Sequence, residues 1–266
     1  MNRLTIVKIG GSVLTDKDKI SFPEPRKKII EDAARDFSLY LKKHPQERFI
    51  LIFGAGSFGH PLAEKYNLAD LNSKSKNKIG VGLTRNAVQR LNIFVLQKFL
   101  ERKCPVFSLP PASIIEQNKG KIIFFDTKIV SALLERRLIP TFFGDVVTDK
   151  NCEFSICSGD QIAAYLARKL SPQRIFFASD VDGLFTADPR LDPAAKLIKR
   201  VKRSQLKNII SQKSKTPKRS DVTGLMRGKL KEISETKCRI VIFNGLKKGN
   251  LLSVLENKKI GTEIIS

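Results

Sequence analysis

Two hydrophobic periods alternate along the chain. Short runs of apolar, β-branched and aromatic residues read as buried strands at Leu4–Ile9, Phe49–Phe53, Val106–Leu109, Leu138–Phe143, Arg174–Ala178, Arg239–Phe243 and Thr262–Ile265. Between them the apolar residues fall at helical spacing. Residues 26–42 carry Ile29, Ile30, Ala33, Ala34, Phe37 and Leu41, and the stretch from Val81 to Arg102 carries Leu83, Ala87, Leu91, Phe94, Val95 and Phe99. Shorter helices are predicted over Thr127–Arg136 and Gln161–Lys169, with a helix or turn at Asn250–Glu256. Another helix is capped by Asp221-Val-Thr-Gly224 and runs to about Lys237. Ile122–Phe125 reads as half of a hairpin, Val146–Ile156 as a second hairpin, and the polar, basic stretches 67–79 and 211–220 as loops. Strands alternating with helices predict an α/β fold, a mainly parallel sheet covered on both faces.

The chain has 266 residues, enough for one α/β domain of two lobes or for two small domains. No apolar run is long enough to predict a membrane span, and Met1 leads into a strand without a charged-then-apolar leader, so a cytoplasmic place is expected. Cys104, Cys152, Cys157 and Cys238 are scattered, with no second close pair to complete a zinc site, and are read as reduced. The net charge of +23 raises the question of a nucleic-acid partner. The lysines are spread over the whole chain, with local runs at Lys74–Lys78 and Lys213–Arg219. No stacking motif accompanies them, and there is no Trp and only three Tyr. A solvated basic surface without a specific nucleic-acid partner is the expectation.

Candidate chemistry begins where the first strand ends. Lys8, Ile9, Gly10, Gly11 and Ser12 join a strand to a small-residue turn, and Lys17 closes the stretch. Glycines let a backbone pass close to an anion and aim N–H groups at it. Taken alone, the segment fits an ordinary strand-to-helix turn with surface lysines equally well. GAGSFGH (Gly54 to His60) follows the second strand and satisfies G-x-G-x-x-G. A dinucleotide site would want that motif after the first strand, and an acidic residue about 20 residues on, where the lysine-rich loop lies. SGDQ (Ser158–Gln161) puts Asp160 at a helix start, where it can serve as a cap or hold lysines beside phosphates. SDVDGLFTADP (Ser179–Pro189) sets carboxylates after a strand, and DVTGLMRGK (Asp221–Lys229) sets Thr223 and Gly224 at a helix start with Lys229 further in.

With GDVV between them, these six motifs occur in an order that resembles the amino acid kinase family. Within it the chain is most similar to the archaeal-type isopentenyl phosphate kinase branch, and the likeness spans nearly the whole chain. His60 narrows the choice, being shared with the related fosfomycin kinase branch. The resemblance implies a three-layer αβα sandwich in one domain, with an acceptor lobe of about 1–157 and a nucleotide lobe of about 158–266. It implies phosphoryl transfer from ATP, with Mg²⁺, to isopentenyl phosphate in isoprenoid biosynthesis, and a homodimer. It places ATP against Lys8, Ile9, Gly10, Gly11, Ser12, Gly56, Asp180, Phe185, Asp188, Pro189, Gly224 and Lys229. The phosphorylated acceptor meets Ala55, Gly59, His60 and Gly159. Lys8, Lys17, His60, Asp160 and Lys229 form the catalytic set, with Lys17 at the transition state and Asp160 as organiser. One departure is visible: the usual DVTGG reads DVTGL, with Leu225 in place of the second glycine.

A monophosphate acceptor is already an anion near neutral pH, so clustered cations rather than a strong base are the expected machinery. No carboxylate cage for magnesium stands out in the sequence, and no metal ligands are assigned. An isoprenoid tail needs an apolar slot, and Val81, Leu83, Thr84 and Val88 are expected to form one wall of it. Other acceptors such as fosfomycin, a non-catalytic nucleic-acid binder and a dinucleotide-dependent oxidoreductase are the competing readings.

Overall fold

The apolar runs become strands buried on both faces. In a computed structural model, which describes residues 4–16, 23–73, 75–187, 189, 191–206, 228, 230–233 and 236–265, β1 (Leu4–Ile9) leads through a short α1 (Gly11–Leu14) to α2 (Lys27–Lys43) and β2 (Arg48–Phe53). Next come α3 (Gly56–Lys65), α4 (Lys78–Glu101), β3 (Val106–Ser108), β4 (Ile115–Asn118), β5 (Lys121–Phe125), α5 (Thr127–Glu135) and β6 (Ile139–Phe143). The hairpin β7 (Asp145–Asp149) and β8 (Glu153–Cys157) precedes α6 (Gly159–Leu170) and β9 (Arg174–Ser179). The chain ends with β10 (Leu184–Phe185), β11 (Leu197–Ile198), β12 (Arg200–Lys202), β13 (Arg239–Asn244), α7 (Asn250–Leu255) and β14 (Thr262–Ile265).

Eight strands form the central sheet in the order β12-β14-β13-β9-β1-β2-β6-β3. Every pairing in it is parallel except β13 with β14. Alternate residues of each strand feed opposite faces. Ile6, Ile52, Phe177 and Ile242 join a core with Leu133 of α5 and Ile162 and Leu166 of α6. Their neighbours Val7, Leu51, Phe176 and Val241 join a second core with Phe37 of α2, Val95 and Phe99 of α4 and Val254 of α7. Helices on both faces make three layers, as the continuous apolar strands require. A four-stranded sheet, β5-β4-β7-β8, forms a separate wing beside the end of β6.

Among the elements that differ from the sequence reading are two helices. GAGSFGH, for which no helix is predicted, opens a ten-residue helix, α3, despite Gly59 and Pro61. Its glycines lower helix propensity, yet Gly59 is needed for packing: a Cβ there would press on Ala55 and on Val88 of α4. Helix α4 starts at Lys78, inside the stretch read as loop, because the Asn77 side chain caps it by accepting from Gly80 N at 2.7 Å. The loop read at 211–220, and the Asp221–Gly224 cap, lie outside the described residues; 230–233 are helical.

Candidate active site

The chain passes from β1 to β2 and β6 on one side, and returns to β9 and β13 on the other. The crevice above the carboxyl ends of such a sheet is where ligands of open α/β folds bind. Here the strand ends are laced together one to the next. Gly54 N donates to Ile9 O at 2.9 Å, and Gly144 N to Phe53 O at 3.0 Å. On the other side Gly10 N donates to Ala178 O at 3.0 Å, and Gly245 N to Ser179 O at 2.8 Å.

The glycine turns after β1 and β2 touch. A Cβ on Gly11 would collide with the backbone of Gly56, and one on Gly54 with the backbone of Gly11. Gly56 has φ +52° and packs against Thr15. The Thr15 hydroxyl donates to Gly11 O and accepts from Ser57 N, both at 2.9 Å, so one side chain pins both turns. Among the described residues the buried Ser57 Oγ has no hydrogen-bond partner. An unmet buried hydroxyl beside two glycine turns suits a polar ligand.

Lys8 is nearly buried within β1, with its Nζ 3.0 Å from Asp160 Oδ1. Asp160 stands in the first turn of α6, where the helix dipole favours a carboxylate. That turn is fixed by a capping box between Ser158 and Gln161. Gly159 lets the helix start sit directly on Lys8, since a Cβ there would lie 3.4 Å from Lys8 Cε and 3.0 Å from Ile52 Cγ2. Gln161 also reaches outward, donating to Gly120 O at 2.8 Å in the small sheet.

Of the residues expected in the site, Lys8, Ile9, Gly10, Gly11, Ser12, Ala55, Gly56, Gly59, Gly159 and Asp160 gather at the ends of β1 and β2 and the start of α6. His60 is exposed on α3 directly after Gly59. Asp180 follows β9, and Phe185 lies in β10 with Pro189 beyond it. Lys17, Asp188, Gly224, Leu225 and Lys229 lie outside the described residues. The expected wall is corrected at one position. Val81, Thr84 and Val88 are buried, but Leu83 is 46% exposed, because its place in the turn carries it to the outer face of α4. Val81 joins a small third apolar cluster with Ala63, Leu68 and Val146, packed against Tyr66, Phe154 and Ile156.

Sequence reasoning missed several partners. Asp182 of the SDVDG turn accepts from Asn244 Nδ2 at 3.0 Å and pairs with Lys247, whose ammonium holds its carboxyl below the usual range. Asp145, after Gly144, has a fully buried carboxylate 3.3 Å from Arg85 Nε. Burial pushes that carboxyl up, while Arg85 and the N–H groups of Val146 and Ala112 pull it back. Thr15 carried no signal in the sequence. GDVV did contain Asp145.

A model of the amino acid kinase family matches residues 3–244. The chain belongs to the amino acid kinase family. It is 32% identical to the isopentenyl phosphate kinase of Methanocaldococcus jannaschii over 98% of both chains, and 31% identical to that of Methanothermobacter thermautotrophicus, again over 98% of both. A crystal structure of isopentenyl phosphate kinase superimposes with a TM-score of 0.82 at 29% identity, over 98% of this chain and 99% of that one. The three layers are those of the matched structure's fold.

Proposed function

We propose that this kinase transfers the γ-phosphoryl group of ATP to isopentenyl phosphate, giving isopentenyl diphosphate and ADP for isoprenoid biosynthesis. The observation that carries the reading is the buried Lys8–Asp160 pair on the strand that leads into two interlocked glycine turns, in a chain similar along its length to isopentenyl phosphate kinases. The chain works as one domain, with residues 1–157 on the acceptor side and 158–266 on the nucleotide side.

In the transfer, an oxygen of the acceptor phosphate attacks the γ-phosphorus, the bond to the β,γ-bridging oxygen breaks, and its electron pair leaves with ADP. The acceptor's second proton is largely lost at neutral pH, so no general base is needed. The obstacle is two anions meeting head to head. Lys8, steered by Asp160, offsets that charge, and N–H groups of the turns at Gly10–Ser12 and Gly56 orient the triphosphate. Ala55, Gly59, His60 and Gly159 receive the acceptor phosphate. Lys17 and Lys229 add cations, and Asp180, Phe185, Asp188, Pro189 and Gly224 hold the nucleotide. Mg²⁺ would accompany the ATP and would supply further neutralisation of the charge on its phosphates. Asp180, at the carboxyl end of β9, would be a carboxylate placed to hold it.

The small cluster of Val81, Ala63, Leu68 and Val146 lies one helical stretch from Gly59 and His60, and serves as the slot for the isoprenoid tail. Two copies pair through α4 and the sheet edge. Ile79, Leu83, Ile93 and Leu100 are exposed along one side of α4, next to exposed Phe107 on edge strand β3. Among the described residues no helix is long and apolar enough to cross a membrane, and a cytoplasmic place suits the four free cysteines.

Coupled ADP release with isopentenyl phosphate, dimethylallyl phosphate and fosfomycin side by side tests the reading. Turnover should be fastest with isopentenyl phosphate. Faster use of fosfomycin, or no ADP release with any of the three, overturns it.

A further inference from the structure

Two stretches of chain run alongside each other between the glycine turns and the apolar cluster. On α4, Val88 meets Gly59, Arg85 follows one turn away, and Val81 lies a further turn on, in the cluster. After β6, Gly144 lies against Ala55, Asp145 comes next, and Val146 joins the same cluster. Matched end to end, these two series put the Arg85–Asp145 contact between Gly59 of α3 and the tail slot.

The contact leaves the guanidinium half used. Asp145 is wholly buried and holds Arg85 by Nε at 3.3 Å, while accepting from Val146 N at 2.8 Å and Ala112 N at 3.3 Å. Among the described residues the two terminal amino groups of Arg85 have no hydrogen-bond partner, and the side chain is about one-third exposed. A guanidinium fixed by Nε presents its remaining donors in a planar fork that matches phosphate oxygens.

We propose that Arg85 is a further acceptor-binding residue, its two terminal amino groups donating to oxygens of the acceptor's phosphate monoester at the point where the phosphate joins the tail. The inference rests on the acceptor site proposed above. It gives Asp145 a positioning role: the buried carboxylate aims the fork. It also makes a neutral alcohol a poor ligand, because nothing would then meet the donors.

Calorimetric titration of isopentenyl phosphate, with KM for both substrates and a thermal melt, tests this on the wild type, Arg85→Gln and Arg85→Lys. Arg85→Gln should raise the acceptor Kd and KM about tenfold or more while the ATP KM stays within about twofold. Arg85→Lys keeps the charge and the pairing with Asp145 but loses the fork, and should fall between. Unchanged acceptor constants in Arg85→Gln overturn the inference while leaving the wild-type activity, and so the kinase reading, intact. A parallel rise in both KM values with a lowered melting temperature also overturns it, marking Arg85 as a brace for Asp145. If the wild type neither binds nor turns over isopentenyl phosphate, the kinase reading falls and this inference with it.

Discussion

The ammonium of Lys8 meets the carboxylate of Asp160 at 3.0 Å across the join between a central strand and a helix start. Neither side chain is well solvated, with exposures of 8% and 20%. A buried cation of this kind is stable only with its partner, and its direction is set by that partner. Asp160→Asn keeps the size and a hydrogen-bond acceptor but removes the charge. Turnover should fall at least about a hundredfold, with a smaller change in ATP KM. An unchanged kcat in the ADP-release assay would remove the pair from the reaction.

Thr15 is the clasp between the two glycine turns. Thr15→Val keeps the shape and loses both hydrogen bonds, leaving Ser57 N without its acceptor. A loss of about 1–3 kcal/mol is expected in urea unfolding. The ATP KM should rise as the turns loosen. Full stability with normal ATP use would show that backbone packing alone holds the turns.

Acid should weaken the small sheet. Burial by itself would raise the Asp149 carboxyl, but the N–H groups of Gly120, Asn151 and Lys119 and the Ser155 hydroxyl outweigh it and hold it at about 2, below the ordinary 3.8. A folded value below the unfolded one adds stability above the ordinary value, lost as pH falls from 3.8 through about 2. The amount is about 2 kcal/mol. Asp149→Asn should flatten the acid limb of a stability–pH curve from urea melts; equal slopes for variant and wild type would refute the assignment.

Much of this was legible in the chain. The strands stood out because both faces of the sheet need apolar residues, so Phe176 and Phe177 could be read together without knowing which side each serves. Lys8 and Asp160 were both visible, Lys8 in the strand that runs into Gly10 and Gly11, and Asp160 directly after Gly159 at a helix start. Pairings between distant residues were not. Arg85 and Asp145 are separated by 60 positions, and nothing local marks either as the other's partner. The basic run at 74–78 was read as solvated, yet Lys76 is buried, its Nζ held by the carbonyls of Asn67 and Asp70. Backbone acceptors of that sort leave no trace in composition.

Enlarging Val146 should shorten the accepted chain. It is 1% exposed within the small cluster. Val146→Phe should keep activity on isopentenyl phosphate within about tenfold and cut activity on longer isoprenoid monophosphates further. Unaltered length preference in a substrate series would move the tail slot elsewhere.

Self-association should depend on the outer side of α4. Leu100 is 55% exposed there. Leu100→Glu should convert a dimer to a monomer in light scattering behind size exclusion, with the melting profile of the monomer otherwise preserved. A wild type that elutes as a monomer at high concentration would rule the pairing out.

The lacing of strand ends bears on how such a protein opens. Amides at Gly10, Gly54, Gly144 and Gly245 are each bonded to the neighbouring strand at the mouth of the crevice. Hydrogen exchange there should need unfolding of the entire sheet, so the floor of the cleft ranks with the slowest-exchanging part of the molecule. Ligand entry and exit are therefore left to the surrounding loops and helices, over a base that stays still.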